Sequence, residues 1–114
     1  MKIDEKKLQA LKQIKNMHVY QLENKNQYII EADGVKCFQS YNSLIAVYDV
    51  ADHTLLLGCD WDYSNTTRKH LYIFISDYCY LKDIDDVLYD CKNKRAAIYN
   101  MIKTGLIAYD SNMR

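Results

Sequence analysis

Proline is absent from this chain of 114 residues, and glycine occurs only three times. Without proline, no strand is confined to a sheet edge by a missing backbone N–H. The few glycines form neither a phosphate-binding P-loop nor the glycine pattern of a dinucleotide-binding fold, and no nucleophile elbow is present. The sequence therefore lacks the motifs of these enzyme classes.

Long apolar runs, net charge and paired cysteines are missing as well. No run is long enough to cross a membrane, and the charged start after Met1 is unlike a signal peptide, so a cytoplasmic location is expected. A net charge of zero argues against a protein that coats DNA. None of the four cysteines forms a C-x-x-C pair, which favours reduced, buried thiols and no metal or other cofactor. A zinc site built from Cys59, Cys79, Cys91 and a histidine is the alternative.

The sequence is rich in tyrosine, and its charged residues are unevenly distributed along the chain. Eleven tyrosines stand against two phenylalanines, and tyrosine suits both half-buried sheet faces and interfaces. Residues 1–26 carry six lysines and three acidic residues, whereas residues 27–64 carry one lysine and six acidic residues. An acidic middle between basic ends permits a local charged contact surface.

The first half of the chain predicts one helix followed by a sheet. Residues 4–15 have helical apolar spacing, and residues 17–58 contain short runs typical of strands. Residues 27–41 form the clearest hairpin, with Asp33-Gly34 as a type I′ turn that places Ala32 opposite Val35. The apolar run 43–50 is typical of a central strand, and residues 54–58 predict the next one.

Helical spacing returns in residues 64–104. Ser64 is expected to cap a helix over residues 65–78, and Asp83 to cap a second helical region from residue 84. Asn93 can begin a new helix at Lys94, and Gly105 is a natural stop before a last short strand at 106–110. The chain is therefore predicted to be one α+β domain, residues 1–114, with an antiparallel sheet of four to five strands packed against an N-terminal helix and two to three C-terminal helices.

The stretch CDWDYSNTTRKHLYIF, residues 59–74, combines candidates for several kinds of site. Ser64, Thr66 and Thr67 are explained by the helix start. The residues left over are expected to bind a partner, since tryptophan and tyrosine dominate interface hot spots. These candidates are Asp60, Trp61, Asp62, Tyr63, Lys69 and His70.

Other chemistries for the same stretch remain open. His70 as a general base would need Asp62 and a nucleophile such as Ser64, Cys59 or Cys79 within reach. The helix start with Arg68 and Lys69 could bind a phosphate, although the two nearby aspartates oppose an anion. Nucleic acid is the alternative partner, and the residues expected to bind it are Lys12, Lys15, Lys92, Lys94 and Arg95.

Two motifs carry a resemblance to a known family. Ser40-Tyr41 with Ile45-Ala46 fits S-Y-x-x-x-I-A, and residues 61–71 fit W-D-Y-S-x-T-T-x-K-H-L followed by a helix. In this respect the chain resembles a family of small phage and mobile-element proteins over roughly residues 27–110. That family has no established activity, so the resemblance implies no catalytic residue.

The resemblance implies a setting inside a bacterial host. Small neutral or acidic phage proteins often block a host defence protein, and anti-CRISPR proteins are the best-known kind. The expected function is therefore a non-enzymatic protein that binds and inhibits a host protein, with a CRISPR–Cas effector as one candidate target. Homodimerisation would fit this function, and a small nucleic-acid-binding regulator is the alternative.

Overall fold

A six-stranded sheet organises the computed structural model, which describes residues 17–22 and 24–114. The strands are β1 (His18–Gln21), β2 (Gln27–Ala32), β3 (Val35–Ser40), β4 (Ser43–Asp49), β5 (Thr54–Gly58) and β6 (Ala108–Asp110). They lie side by side in chain order; β1 to β5 are antiparallel, and β6 pairs in parallel with β5. The α+β class is confirmed, but the sheet has six strands rather than four or five. The helix predicted at residues 4–15 lies outside the described residues.

The β2–β3 hairpin has the predicted register but not the predicted turn. Ala32 lies opposite Val35, and the register that follows from this pair continues through all five pairs between residues 28–32 and 35–39. A type I′ turn needs positive φ at both central residues. Here Gly34 has a φ of +78° and Asp33 does not have a positive φ, which is the pattern of a type II turn. The side-chain pairs therefore set the register, and the glycine alone takes the left-handed position.

Helix α1 (Asn65–Ile73) begins where the sequence predicts. The Ser64 hydroxyl accepts a hydrogen bond from the Thr67 backbone N–H at 3.1 Å, so one unpaired donor of the first turn is satisfied. The helix continues into a π-helical turn, Phe74–Tyr78, and together the two cover the predicted range.

Helices α2 (Lys82–Asp90) and α3 (Lys94–Thr104) replace the second predicted helical region. Asn93 caps α3 by accepting from the Ala96 N–H at 3.0 Å, and Gly105 ends it with a φ of +85°, as predicted. The predicted cap at Asp83 is wrong. Helix α2 starts after Leu81 without any side-chain cap, and Asp83 lies inside the first turn.

The main core lies between one face of the sheet and the helices. Phe38 of β3 stacks on Phe74 at 6.1 Å between ring centroids, and the apolar stripes of α2 and α3 pack into the same cluster. Trp61 also belongs to this core and is 2% exposed. Among the described residues, no helix has the length and apolar character that crossing a membrane requires.

Candidate functional site

The two motifs that carry the family resemblance, at residues 40–46 and 61–71, meet at an open cleft of about 610 Å³. One wall is the turn between β3 and β4 with the start of β4, and the other is the β5–α1 loop with the first turn of α1. We call this feature the motif cleft, and its lining residues are Ser40, Tyr41, Asn42, Ser43, Ile45, Asp60, Tyr63, Ser64, Thr66 and Thr67. The tertiary structure thus joins two segments that are separate in the sequence.

Hydroxyl groups connect the two walls of the motif cleft. The Thr67 hydroxyl lies 3.2 Å from that of Ser40 on β3 and 3.1 Å from that of Ser64, the α1 cap. Thr67 and Ser40 are buried, so the contact between their hydroxyls is shielded from water, whereas Ser64 is half-buried. The hydroxyls therefore fix the helix start on the end of the sheet.

Asp60 carries the negative charge of the motif cleft. Its Oδ2 accepts a hydrogen bond from the Ser43 hydroxyl at 2.7 Å, and its Oδ1 receives only the weak thiol donor of Cys59 at 3.6 Å. Among the described residues that line the cleft, none is a lysine, arginine or histidine. Within residues 17–22 and 24–114, no cation forms an ion pair with Asp60. The carboxylate thus keeps acceptor capacity toward solvent.

Asp62, two residues on, is in the opposite situation. It binds Arg68 Nη1 at 2.6 Å through Oδ1, Arg95 Nε at 2.8 Å through each oxygen, and the Tyr99 hydroxyl at 2.7 Å through Oδ2. The hydrogen bond from Arg95 is the main cause that lowers the pKa of Asp62 to about 2; partial burial opposes it, and Tyr99 and Arg68 reinforce it. Asp62 therefore ties the β5–α1 loop to α3 instead of facing a partner.

Trp61 and His70 lie in the interior. The Trp61 ring packs edge-on against Tyr99, with 4.8 Å between the ring centroids. His70 has no exposed surface, and its Nδ1 lies 2.8 Å from the Thr66 carbonyl oxygen one turn earlier. The β5–α1 loop and helix α1 direct Trp61, His70 and Leu71 toward the sheet, and all three side chains are therefore buried.

The six predicted partner-binding residues therefore divide into three groups. Trp61 and His70 are buried and inaccessible, and the Asp62 carboxylate is already paired with Arg68 and Arg95. Asp60 and Tyr63 line the motif cleft, whereas Lys69 is exposed on α1 outside the lining. Only the last three are accessible in this structure, and their part in binding stays a prediction.

The catalytic and zinc alternatives do not come together in the described residues. There, no hydrogen bond connects His70 with Asp62 or with Ser64, Cys59 or Cys79. No three histidine, cysteine or acidic side chains converge as metal ligands in the part of the chain that the structure describes. A phosphate at the α1 start would meet Asp60, while Arg68 is already paired with Asp62.

The structure describes only three of the five residues predicted to bind nucleic acid. Lys12 and Lys15 lie outside the described residues. The charge of Arg95 is paired with Asp62, while Lys92 is exposed and Lys94 is half-buried. Convergence of these five cations stays a prediction.

The site residue that sequence reasoning missed is Tyr41. It occupies the first position of the two-residue turn between β3 and β4, with a φ of +55° that is rare for a residue other than glycine. Its N–H donates to the Asn26 carbonyl at 2.7 Å, and the Gln39 amide donates to its carbonyl at 3.0 Å. Two strand-like segments separated by two residues were the signal that could have revealed this turn.

Comparison with known proteins identifies a family. A family model described as a family of unknown function, DUF8033, matches residues 10–90, more than half of the chain. The chain therefore belongs to the DUF8033 family. No curated protein and no solved structure matched the chain. The matched range includes the whole motif cleft, whereas α3, which supplies Arg95 and Tyr99, follows it.

Proposed function

We propose that this member of DUF8033 is a non-enzymatic protein that binds and inhibits a host protein through the motif cleft. The phage and mobile-element resemblance makes a CRISPR–Cas effector the first target class to test. The observation that carries the proposal is the way in which the β5–α1 loop presents Tyr63.

Tyr63 is exposed although every neighbouring residue is held in place. Trp61 is buried, Asp62 is bound by three side chains, and Ser64 caps α1. Tyr63 is 74% exposed, while its backbone N–H donates to the Asp60 carbonyl at 3.1 Å. A rigid tyrosine loses little conformational entropy on binding, which is why such residues act as interface hot spots.

Tyr41 adds a second aromatic ring to the motif cleft. It is 40% exposed and lies in the left-handed turn described above. That conformation costs a residue with a Cβ about 1–2 kcal/mol, and such strain is concentrated at functional sites. The cost and the two hydrogen bonds that hold the turn favour a role for this ring in contact with a partner.

The test is capture of a partner from a nuclease-treated lysate of a bacterium that carries an active CRISPR–Cas system. Tyr63→Ala is compared with Tyr89→Ala, because Tyr89 is 89% exposed but lies on α2 outside the motif cleft. We expect wild type and Tyr89→Ala to bind the same purified protein equally. Tyr63→Ala should weaken that binding at least about tenfold, the size of a loss of roughly 1.4 kcal/mol.

Circular dichroism and thermal unfolding establish that both variants remain folded. Loss of binding in both variants alike, or recovery of nucleic-acid-dependent complexes alone, would contradict the proposal. Trp61→Ala is unsuitable here, since removing a buried tryptophan destabilises a core by about 3–5 kcal/mol.

A functional readout uses phage plaquing on a strain whose CRISPR system targets that phage. Expression of the wild-type chain should restore plaquing, and Tyr89→Ala should do so equally. Tyr63→Ala should not restore it. Captured effector that still cleaves its target normally would leave binding intact but refute inhibition.

A further inference from the structure

The motif cleft has a marked bias in charge and hydrogen bonding. Of the lining residues that the structure describes, Asp60 alone is charged, and the others supply hydroxyls, one amide, one aliphatic side chain and two tyrosine rings. Because no cation is found among the described lining residues, an anionic ligand would meet a carboxylate that none of them neutralises. A positively charged group is therefore the complementary occupant.

Asp60 is poised to accept further donors. Only Oδ2 has a strong hydrogen bond, the 2.7 Å contact from Ser43, while Oδ1 has the weak thiol contact. Asp62 in the same loop provides the contrast, because two arginines and a tyrosine donate hydrogen bonds to its carboxylate. Asp62 is therefore neutralised within the protein, whereas no cation among the described residues pairs with Asp60.

The two tyrosines define which cation fits best. Tyr41 and Tyr63 line the same cleft as Asp60 and are 40% and 74% exposed. A guanidinium stacks on aromatic faces and pairs with a carboxylate through a planar array of donors, whereas an ammonium group is a compact, strongly hydrated charge. The structure already contains this combination once, where Arg95 lies 5.4 Å from the Tyr99 ring centroid and pairs with Asp62.

We infer that the motif cleft receives an arginine side chain of the protein partner, with the guanidinium on Asp60 and against the rings of Tyr41 and Tyr63. The inference rests on the proposed function, because it names the group by which the bound protein is recognised. The cleft volume of about 610 Å³ lies in the range of ligand pockets, which leaves room for the side chain and its flanking backbone.

The probe is the peptide acetyl-Gly-Arg-Gly-amide, compared with the same peptide carrying citrulline, which has nearly the same shape but no charge. Binding is followed by the amide resonances of the ¹⁵N-labelled full chain. We expect the arginine peptide to bind in the millimolar range and to shift residues 41–43 and 60–67. The citrulline peptide should bind at least about tenfold more weakly.

Asp60→Asn removes the charge but keeps an oxygen that can accept from Ser43, so the fold should persist. This variant should lose the arginine preference at least about tenfold. Asp52→Asn is the matched control, because Asp52 is exposed in the turn at the far end of β4. It should bind the arginine peptide as wild type does.

Equal binding of the two peptides, shifts spread over other surfaces, or an unchanged Asp60→Asn variant would overturn the inference. If the arginine peptide fails while Tyr63→Ala still abolishes partner capture, the proposed function stands and the arginine contact is wrong. If no protein partner is captured, the proposed function fails. A selective, Asp60-dependent shift by the arginine peptide would then still support the chemistry inferred for the cleft.

Discussion

Replacing Asp62 by asparagine tests how strongly the network around this carboxylate holds the binding loop. Arg68 belongs to α1, whereas Arg95 and Tyr99 belong to α3, so one side chain ties both helices to the β5–α1 loop. Asparagine has one acceptor oxygen and no charge, and its amide hydrogens would face guanidinium donors. Asp62→Asn should therefore destabilise the protein at neutral pH.

The size of the effect follows from the pKa of Asp62, which falls from 3.8 to about 2 in the folded protein. At about 1.4 kcal/mol per pKa unit, the ionised carboxylate contributes at most roughly 2.5 kcal/mol to the free energy of unfolding. The Asp62 side chain is 13% exposed, but that of Arg95 is 56% exposed and screened by water. We therefore expect a loss of about 1–2 kcal/mol.

The pH dependence has a defined sign. Because the folded-state pKa lies below the unfolded one, the contribution is complete above about pH 5 and is lost as the pH falls through about 2. The difference between wild type and Asp62→Asn should therefore shrink to roughly half at pH 3 and to less than about a fifth at pH 2.

Urea unfolding followed by fluorescence of the single buried tryptophan, Trp61, measures this difference. With slopes of about 1–3 kcal/mol per molar urea, the expected loss is a clear shift of the midpoint at pH 7. Arg95→Gln and the double variant complete a cycle that isolates the pair. A difference that is independent of pH, or a cycle without coupling between Asp62 and Arg95, would refute the reasoning.

Three further predictions concern stability and thiol chemistry. Gly58→Ala should lower the free energy of unfolding by about 1–3 kcal/mol, since a Cβ there would lie 2.5 Å and 2.8 Å from two backbone oxygens. Gly105→Ala has open space and only an unfavourable φ, so thermal unfolding should show a smaller loss of about 1 kcal/mol; the reverse order would contradict this. Ser64→Ala should cost about 1 kcal/mol and speed amide exchange in the first turn of α1; unchanged exchange would argue against the cap. Burial raises the pKa of Cys79 and raises that of Cys37 to about 11, so both should react with a disulfide reagent at pH 8 more slowly than the two half-buried cysteines, and equal rates would contradict their burial.

Local signals in the sequence predicted the secondary structure well. The β2–β3 register follows from side chains that must face each other across a two-residue turn, and it is confirmed. The caps at Ser64 and Asn93 and the stop at Gly105 are also confirmed, because each depends on a few adjacent backbone groups. The cap predicted at Asp83 is wrong, since α2 starts at the point where Leu81 enters the core.

The candidate site depends on contacts that no local pattern contains. On an extended strand Trp61 and Tyr63 would share a face, but residues 60–63 form a turn, so Trp61 is buried and Tyr63 is exposed. The partners of Asp62 on α3 lie 33 and 37 residues further along the chain. Spacing in the sequence could not select them.

The sequence by itself determined the α+β class, most element boundaries and the stretch in which a site would lie. These features arise from hydrogen bonds and side-chain periodicity within about ten residues. Only the tertiary structure decided that Asp62 is satisfied internally, that Asp60 keeps acceptor capacity toward solvent, and that Tyr41 and Tyr63 line one cleft. Burial and pairing of these side chains depend on how the β3–β4 turn and α3 pack against the β5–α1 loop, which is a property of the whole fold.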